Sequence, residues 1–173
     1  MDLITDAARA LIGLRSDWVE ATHPVELSET RRFFQAMMDT HPRHRGHVAG
    51  GRCGGPVAPL GFPVHAFRRA ASDMKDPLEG AGDPEFDGET RLLRNHLPRL
   101  PIPLQGVLNG GYDYEFFSYA KPGERIYGRS TYRDLRQRDG RAGPMVLVII
   151  EDEFAAGEER RPLLRSVATT IIR

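Results

Sequence analysis

The sequence predicts an α+β domain, and three observations carry that reading. An amphipathic helix, a short strand and a second helix open the chain; a Gly- and Pro-rich stretch without clear period follows; the last third alternates as long strands joined by tight turns. That order places one antiparallel sheet against helical material.

Each element follows from local pattern. Residues 2–12 set Leu3, Ile4, Ala7, Ala8, Leu11 and Ile12 on one helical face, and Gly13 ends the stripe. Residues 18–22 read as a strand stopped by Pro24. Ser28 is the expected N-cap of a second helix with an apolar face of Phe33, Phe34, Met37 and Met38. That helix ends near residues 39–41, because Pro42 disfavours helix in the residue before it. From residue 44 to 108 glycines and prolines break any period, which leaves short helices over 64–71 and 89–96 and loops elsewhere. Irregular stretches of this length inside a compact domain usually serve a function. Residues 112–117 and 125–136 then form strands around the turn Lys121-Pro122-Gly123-Glu124. Residues 139–144 connect to an apolar strand over 145–154, and the turn 157–161 leads into a last strand over 163–172.

With 173 residues the chain has room for one domain and not two. A domain of this size buries roughly two-thirds of its unfolded surface, so a core forms without disulfides or a structural metal. The single cysteine, Cys53, excludes an internal disulfide and fits a reducing compartment, so a cytoplasmic protein is expected. No signal peptide is expected from the opening residues, and no stretch approaches the roughly 18 apolar residues of a membrane span. Twenty-four Lys and Arg balance 24 Asp and Glu, and Lys75 and Lys121 are the only lysines. The arginines are scattered among acids, so the net positive surface that nucleic-acid binding needs is missing.

The most informative short stretch is Asp39-Thr40-His41-Pro42-Arg43-His44, directly after the second helix. Its spacing, D-x-H-P-x-H, resembles the hydratase motif D-x-N-P-x-H of the MaoC-like (R)-specific enoyl-CoA hydratases, which have the hot-dog fold. The opening LIGLRSDWVEAT, the stretch Pro56-Val57-Ala58-Pro59, residues 108–117 and 121–126, the hairpin at 140–145 and the closing residues 168–173 are similar to the N-terminal MaoC, or FAS1-like dehydratase, subfamily. Together these cover most of the chain outside residues 65–105.

The resemblance implies a single hot-dog domain over residues 1–173: an antiparallel sheet of about five strands wrapped around a helix, with an N-terminal helix and a loop and helix insertion over about 72–103. It also implies reversible hydration of a 2-enoyl thioester to a 3-hydroxyacyl thioester, on CoA or an acyl carrier protein. Such chemistry needs a base for water, an acid for C2 and donors aimed at the thioester oxygen. On this reading Asp39 and His44 share the catalytic water. The chain departs from the pattern at three places. His41 replaces the usual Asn of the motif. Pro59 has no N–H, so the amides of Leu60 or Gly61 must form the oxyanion hole. Asn109 stands where the subfamily often has histidine, beside Gly110-Gly111, whose backbone allows close approach. His41, Asn109, Gly110 and Tyr112 are the expected substrate contacts. No metal or redox cofactor is expected.

Many members of the subfamily lack the catalytic pair and act as the substrate-accommodating half of a two-part enzyme. A homodimer, or a heterodimer with a second hot-dog domain, is therefore expected, and a silent binding subunit or a hot-dog thioesterase are the alternatives. Other features read more simply. His41, His44 and His47 recur every third residue, but Pro42 and Gly46 interrupt the helix that would align them as metal ligands. Most of Tyr112, Tyr114, Phe116, Phe117 and Tyr119 are read as packing. The glycine pairs around Cys53 lack the Lys and Ser/Thr of a phosphate loop.

Overall fold

The computed structural model describes residues 2–42, 55–67, 82, 84, 94, 96–103, 106–141 and 143–173. Among them the chain forms, in order, α1 (Asp6–Arg9), β1 (Val19–Glu20), α2 (Leu27–Ala36), α3 (Phe62–Ala66), β2 (Val107–Phe116), β3 (Ile126–Gly140), β4 (Gly143–Ala156) and β5 (Arg161–Ile172).

The five strands make one antiparallel sheet in the order β1-β3-β4-β5-β2. Strands β3, β4 and β5 form an antiparallel meander, but β2, which the sequence leads through the turn at 121–124 into β3, pairs instead with β5 at the far side of the sheet. The β3–β4 turn is tighter than expected: Gly140 pairs with Gly143, so both strands run on to the hairpin tip. On β4, Val146, Val148, Ile150, Asp152 and Phe154 are buried while Leu147, Ile149, Glu151 and Glu153 between them are half-exposed, the alternation of a sheet with one covered face.

Helical material covers that inner face. The first helix is shorter than the apolar stripe predicts, because Thr5 caps it at Ala8 N (3.1 Å) and Gly13 N donates to Tyr132 O at 2.7 Å. That bond draws the chain out along β3, where Ser16 N donates to Ser130 O. Leu3, Ile4, Leu97 and Leu100 pack there on Val146, Val148 and Ile150. At the other end Ala58 and Phe62, with Phe33 and Phe67 against them, pack on Ile126, Phe154 and Leu164. Phe67 lies so close to Gly128 that a Cβ there would sit 2.9 Å from the ring.

The cap of α2 differs from expectation. The helix starts at Leu27, so Ser28 is inside it, and Glu26 occupies the cap position without a side-chain hydrogen bond. Its end also comes earlier, at Ala36. Of the expected short helices, the first is observed as α3, while 68–71, 89–93 and 95 lie outside the described residues.

Candidate functional site

The segment after α2 leaves the helix through a strained turn. Met37 N donates to Phe33 O (3.0 Å), Asp39 N reaches back to Phe34 O (2.9 Å), and Met38 has φ 53°. This is the left-handed closure that glycine usually provides, and a β-carbon there costs about 1 kcal/mol. Asp39 emerges half-buried, its Oδ1 accepting the amide of His41 at 2.9 Å. That Asx turn holds the carboxylate against the start of the motif. His41 is exposed. His44, Arg43, His47 and Cys53 lie outside the described residues.

Leu60 and Gly61 open α3. Phe62 N donates to Pro59 O (2.9 Å) and Val64 N to Gly61 O (3.2 Å). Among the described residues the amides of Leu60 and Gly61 donate to no backbone carbonyl. Phe33 of α2 joins the two helices: its ring meets Phe62 edge-on (5.7 Å, 84°), and its Cζ lies 4.0 Å from the position of a Cβ on Gly61. The helix that delivers Asp39 and the residues that open α3 therefore share one aromatic contact.

The glycine pair on β2 has a structural explanation. The register with β5 slips between Asn109 and Gly111, Gly111 has φ +121°, and Asn109 Oδ1 accepts the Gly111 amide at 2.9 Å. A Cβ on Gly110 would sit 2.8 Å from the carbonyl oxygen of Thr169, so the close approach at this position is to β5. Tyr112, Tyr114 and Phe116 share one face of β2 and stack at 5.6 and 5.8 Å, each 40–45% exposed. Glu115, on the opposite face, pairs with Arg165, so the aromatic stripe lies on the inner side of the sheet's edge.

Two polar arrangements escaped the sequence reading. The first joins α2 to α3, with His65 Nε2 2.9 Å from Glu29 Oε1 and the side chains 31% and 16% exposed. The Phe33 and Phe62 rings flank the imidazole at 5.1 and 5.7 Å. No local motif signals this pair, since its members are 36 residues apart. The helical spacings Glu29/Phe33 and Phe62/His65 are the traces it leaves in sequence.

The second is a row across the buried sheet face, where Ser130, Asp152 and Ser166 stand in register on β3, β4 and β5. Arg94 grips Asp152 through Nε to Oδ1 (2.7 Å) and Nη2 to Oδ2 (2.5 Å). Ser130 and Ser166 donate to the same carboxylate at 2.5 and 3.3 Å. His96 Nε2 lies 2.7 Å from Ser130 Oγ. With the serine proton given to Asp152, the imidazole must donate from Nε2. Burial pushes the His96 pKa below its ordinary value, against the pull of Asp152, and Arg94 adds to the lowering. Among the described residues, no group of three or more His, Cys, Asp or Glu is gathered to hold a metal ion, and no helix is long and apolar enough to cross a membrane.

Comparison with known proteins adds a family and a fold. Residues 10–160 match the family model for the FAS1-like, dehydratase domain region. Among solved structures, the ChsH1–ChsH2 complex from Mycobacterium tuberculosis is similar at TM-score 0.70 and 15% identity, covering 97% of this chain and 89% of that one. A MaoC-like dehydratase from Rhodospirillum rubrum is similar at TM-score 0.60 and 18% identity, covering 93% and 91%. The (R)-hydratase from A. caviae involved in PHA biosynthesis gives 0.59 and 12%, covering 92% and 94%. A search of curated proteins returned no match. The five-stranded antiparallel sheet with helices on one face is the hot-dog fold of these structures.

Proposed function

Because the chain belongs to the FAS1-like dehydratase family, we propose that it interconverts 2-enoyl and 3-hydroxyacyl thioesters, carried on CoA or an acyl carrier protein, with (R) stereochemistry. The observation that carries this reading is the Phe33–Phe62 contact, which ties the helix leading to Asp39 to the start of α3, where the Leu60 and Gly61 amides donate to no backbone carbonyl among the described residues. Asp39 and His44 handle the water at C3, and the two amides receive the thioester oxygen, where enolate charge develops. His41 and Tyr112 contact the acyl carrier or chain. Asn109 and Gly110, whose local bonding is accounted for by the β2 bulge, act by shaping that strand.

A second hot-dog subunit, identical or different, completes the site. The aromatic inner side of β2 and its outer edge, which pairs with no strand among the described residues, supply the surface it covers. The similar structures include complexes, ChsH1–ChsH2 and the HadBC (3R)-hydroxyacyl-ACP dehydratase. One observation favours a silent binding half instead: Asp39 Oδ1 already accepts a hydrogen bond from its own turn.

The test is hydration of crotonyl-CoA and longer enoyl thioesters by the purified chain, alone and mixed with a catalytic hot-dog subunit. Activity alone that falls at least 100-fold in both Asp39→Asn and His44→Ala supports the proposal, in line with a typical acid–base contribution of about 10² to 10⁴. Activity only on mixing supports the silent half. Release of CoA from saturated thioesters without hydration identifies a thioesterase.

A further inference from the structure

We propose that the outer face of the sheet docks a second copy of this chain, about a twofold axis that runs along the strands between β4 and β5. This copy is additional to the hot-dog subunit at the β2 edge, and the inference needs nothing of the hydration reading.

The outward residues are not those of a sheet that meets only water. An antiparallel sheet with one covered face ordinarily alternates apolar inside with polar outside. Here Leu147 and Ile149 on β4 and Val167 and Ile171 on β5 stand on the outer face and are half-exposed. Leu108 on β2, in register with Ile171, extends the group and is 41% exposed. Strand propensity favours Val and Ile on either face, yet it does not ask for Leu or for one contiguous block. An exposed apolar patch of this kind marks an interaction surface.

The charges beside the patch select its occupant. One row across the same face holds Arg129 on β3, Glu153 on β4, Arg165 on β5 and Glu115 on β2, each in register with the next. Arg129 bonds Glu153 at 2.7 and 3.0 Å, and Arg165 Nη2 lies 2.6 Å from Glu115 Oε2. The order is plus, minus, plus, minus. Turned about an axis along the strands at its midpoint, such a row meets itself reversed, so Arg129 faces Glu115 of the second copy and Glu153 faces its Arg165. Every charge meets its opposite. The same rotation lays Leu147 on Ile171 and Ile149 on Thr169, because those are cross-strand neighbours. An axis running across the strands would instead set each charge against its own copy, a costly juxtaposition.

Aligned sheets pack about 10 Å apart, within reach of these side chains from both sides. Four strands about 4.8 Å apart and seven residues of about 3.3 Å give a footprint of about 19 by 23 Å, at the small end for a specific interface. The contact is isologous and closes at two copies. Stability within one chain explains the row poorly, since pairs as exposed as Arg165 and Glu115 add little.

Sedimentation equilibrium of the full chain over a dilution series tests the assembly. Glu115→Arg with Arg165→Glu keeps the in-chain pair and the net charge, yet turns the row into plus, minus, minus, plus. Each charge then meets its like. The mass should be half that of wild type wherever wild type is associated, with an unchanged circular dichroism spectrum. Arg129→Glu with Glu153→Arg should do the same. Mixing the two swapped chains should restore the wild-type mass, because their rows complement only each other. Should a swap not fold, Leu147→Arg takes its place and should also halve the mass. Masses unchanged by these substitutions, swapped chains that stay apart on mixing, or a wild type that is monomeric throughout the series overturn the inference. Hydration plays no part in these readouts, so such a result leaves the proposed function standing.

Discussion

Arg94 and Asp152 meet in a two-pronged ion pair on the covered face of the sheet, the carboxylate 5% and the guanidinium 22% exposed. The pair fastens the segment around residues 94–102 to the middle of β4. Removing one partner leaves an uncompensated buried charge, so Asp152→Ala should cost about 3–5 kcal/mol in urea unfolding. Replacing both, with Arg94→Met and Asp152→Leu, should cost clearly less. A double variant no more stable than Asp152→Ala contradicts this account.

His96 gives the fold a distinct pH signature. Its folded-state pKa lies below the ordinary 6.5, so the unfolded chain binds the proton more readily. Stability is therefore fully present above pH 6.5, falls as pH drops below it, and levels off beneath the folded pKa. Unfolding free energies of wild type and His96→Gln should diverge in slope between pH 7 and 5. Glu153 acts lower down: the Arg129 hydrogen bond holds its carboxyl below the ordinary 4.5, so its contribution disappears as pH falls under 4.5. Equal slopes for the two proteins between pH 7 and 5 refute the assignment to His96.

Met38 holds a left-handed backbone and is 86% exposed. Met38→Gly removes the β-carbon cost with little loss of burial, and should raise stability by about 0.5–1 kcal/mol, or Tm by about 1–4 °C for a chain of this size. An accompanying fall in hydration would show that the strain helps to aim Asp39.

Gly110→Ala drives a methyl group into the Thr169 carbonyl, and should cost about 1–3 kcal/mol by prising β2 from β5. Asn109→Ala removes an exposed hydrogen bond to Gly111, and should cost about 0.5–1 kcal/mol. Thermal melts of both, read beside KM for the enoyl thioester, separate the bulge from a substrate contact. A raised KM in Asn109→Ala at unchanged Tm favours the contact.

The strands were legible because alternation and turn residues are local: Lys121-Pro122-Gly123-Glu124 and the apolar run of β4 mark their places without tertiary help. The start of α2 was misplaced by a residue type that suits a cap, since Ser28 fits inside the helix once Phe33 and Phe34 set its packing. Asp39 was singled out by a six-residue pattern. The His65–Glu29 pair was not, because its members lie on different helices, and Asp152 fell inside the strand read over 145–154 without a local sign of its partners. A pairing across the fold leaves at most a helical spacing along the chain, which does not name its partner.

The row Ser130–Asp152–Ser166 divides the apolar interior, with Tyr132, Val148 and Leu100 on one side and Phe154, Leu164 and Phe62 on the other. Among the described residues neither apolar region reaches across it. The two ends of the sheet are therefore expected to open with different ease, and amide exchange should show β3 and β5 protected to different degrees on the two sides of Ser130 and Ser166. The end bearing α2 and α3 should then open at a different free energy from the end bearing α1, and that end is the one the proposed function assigns to the substrate.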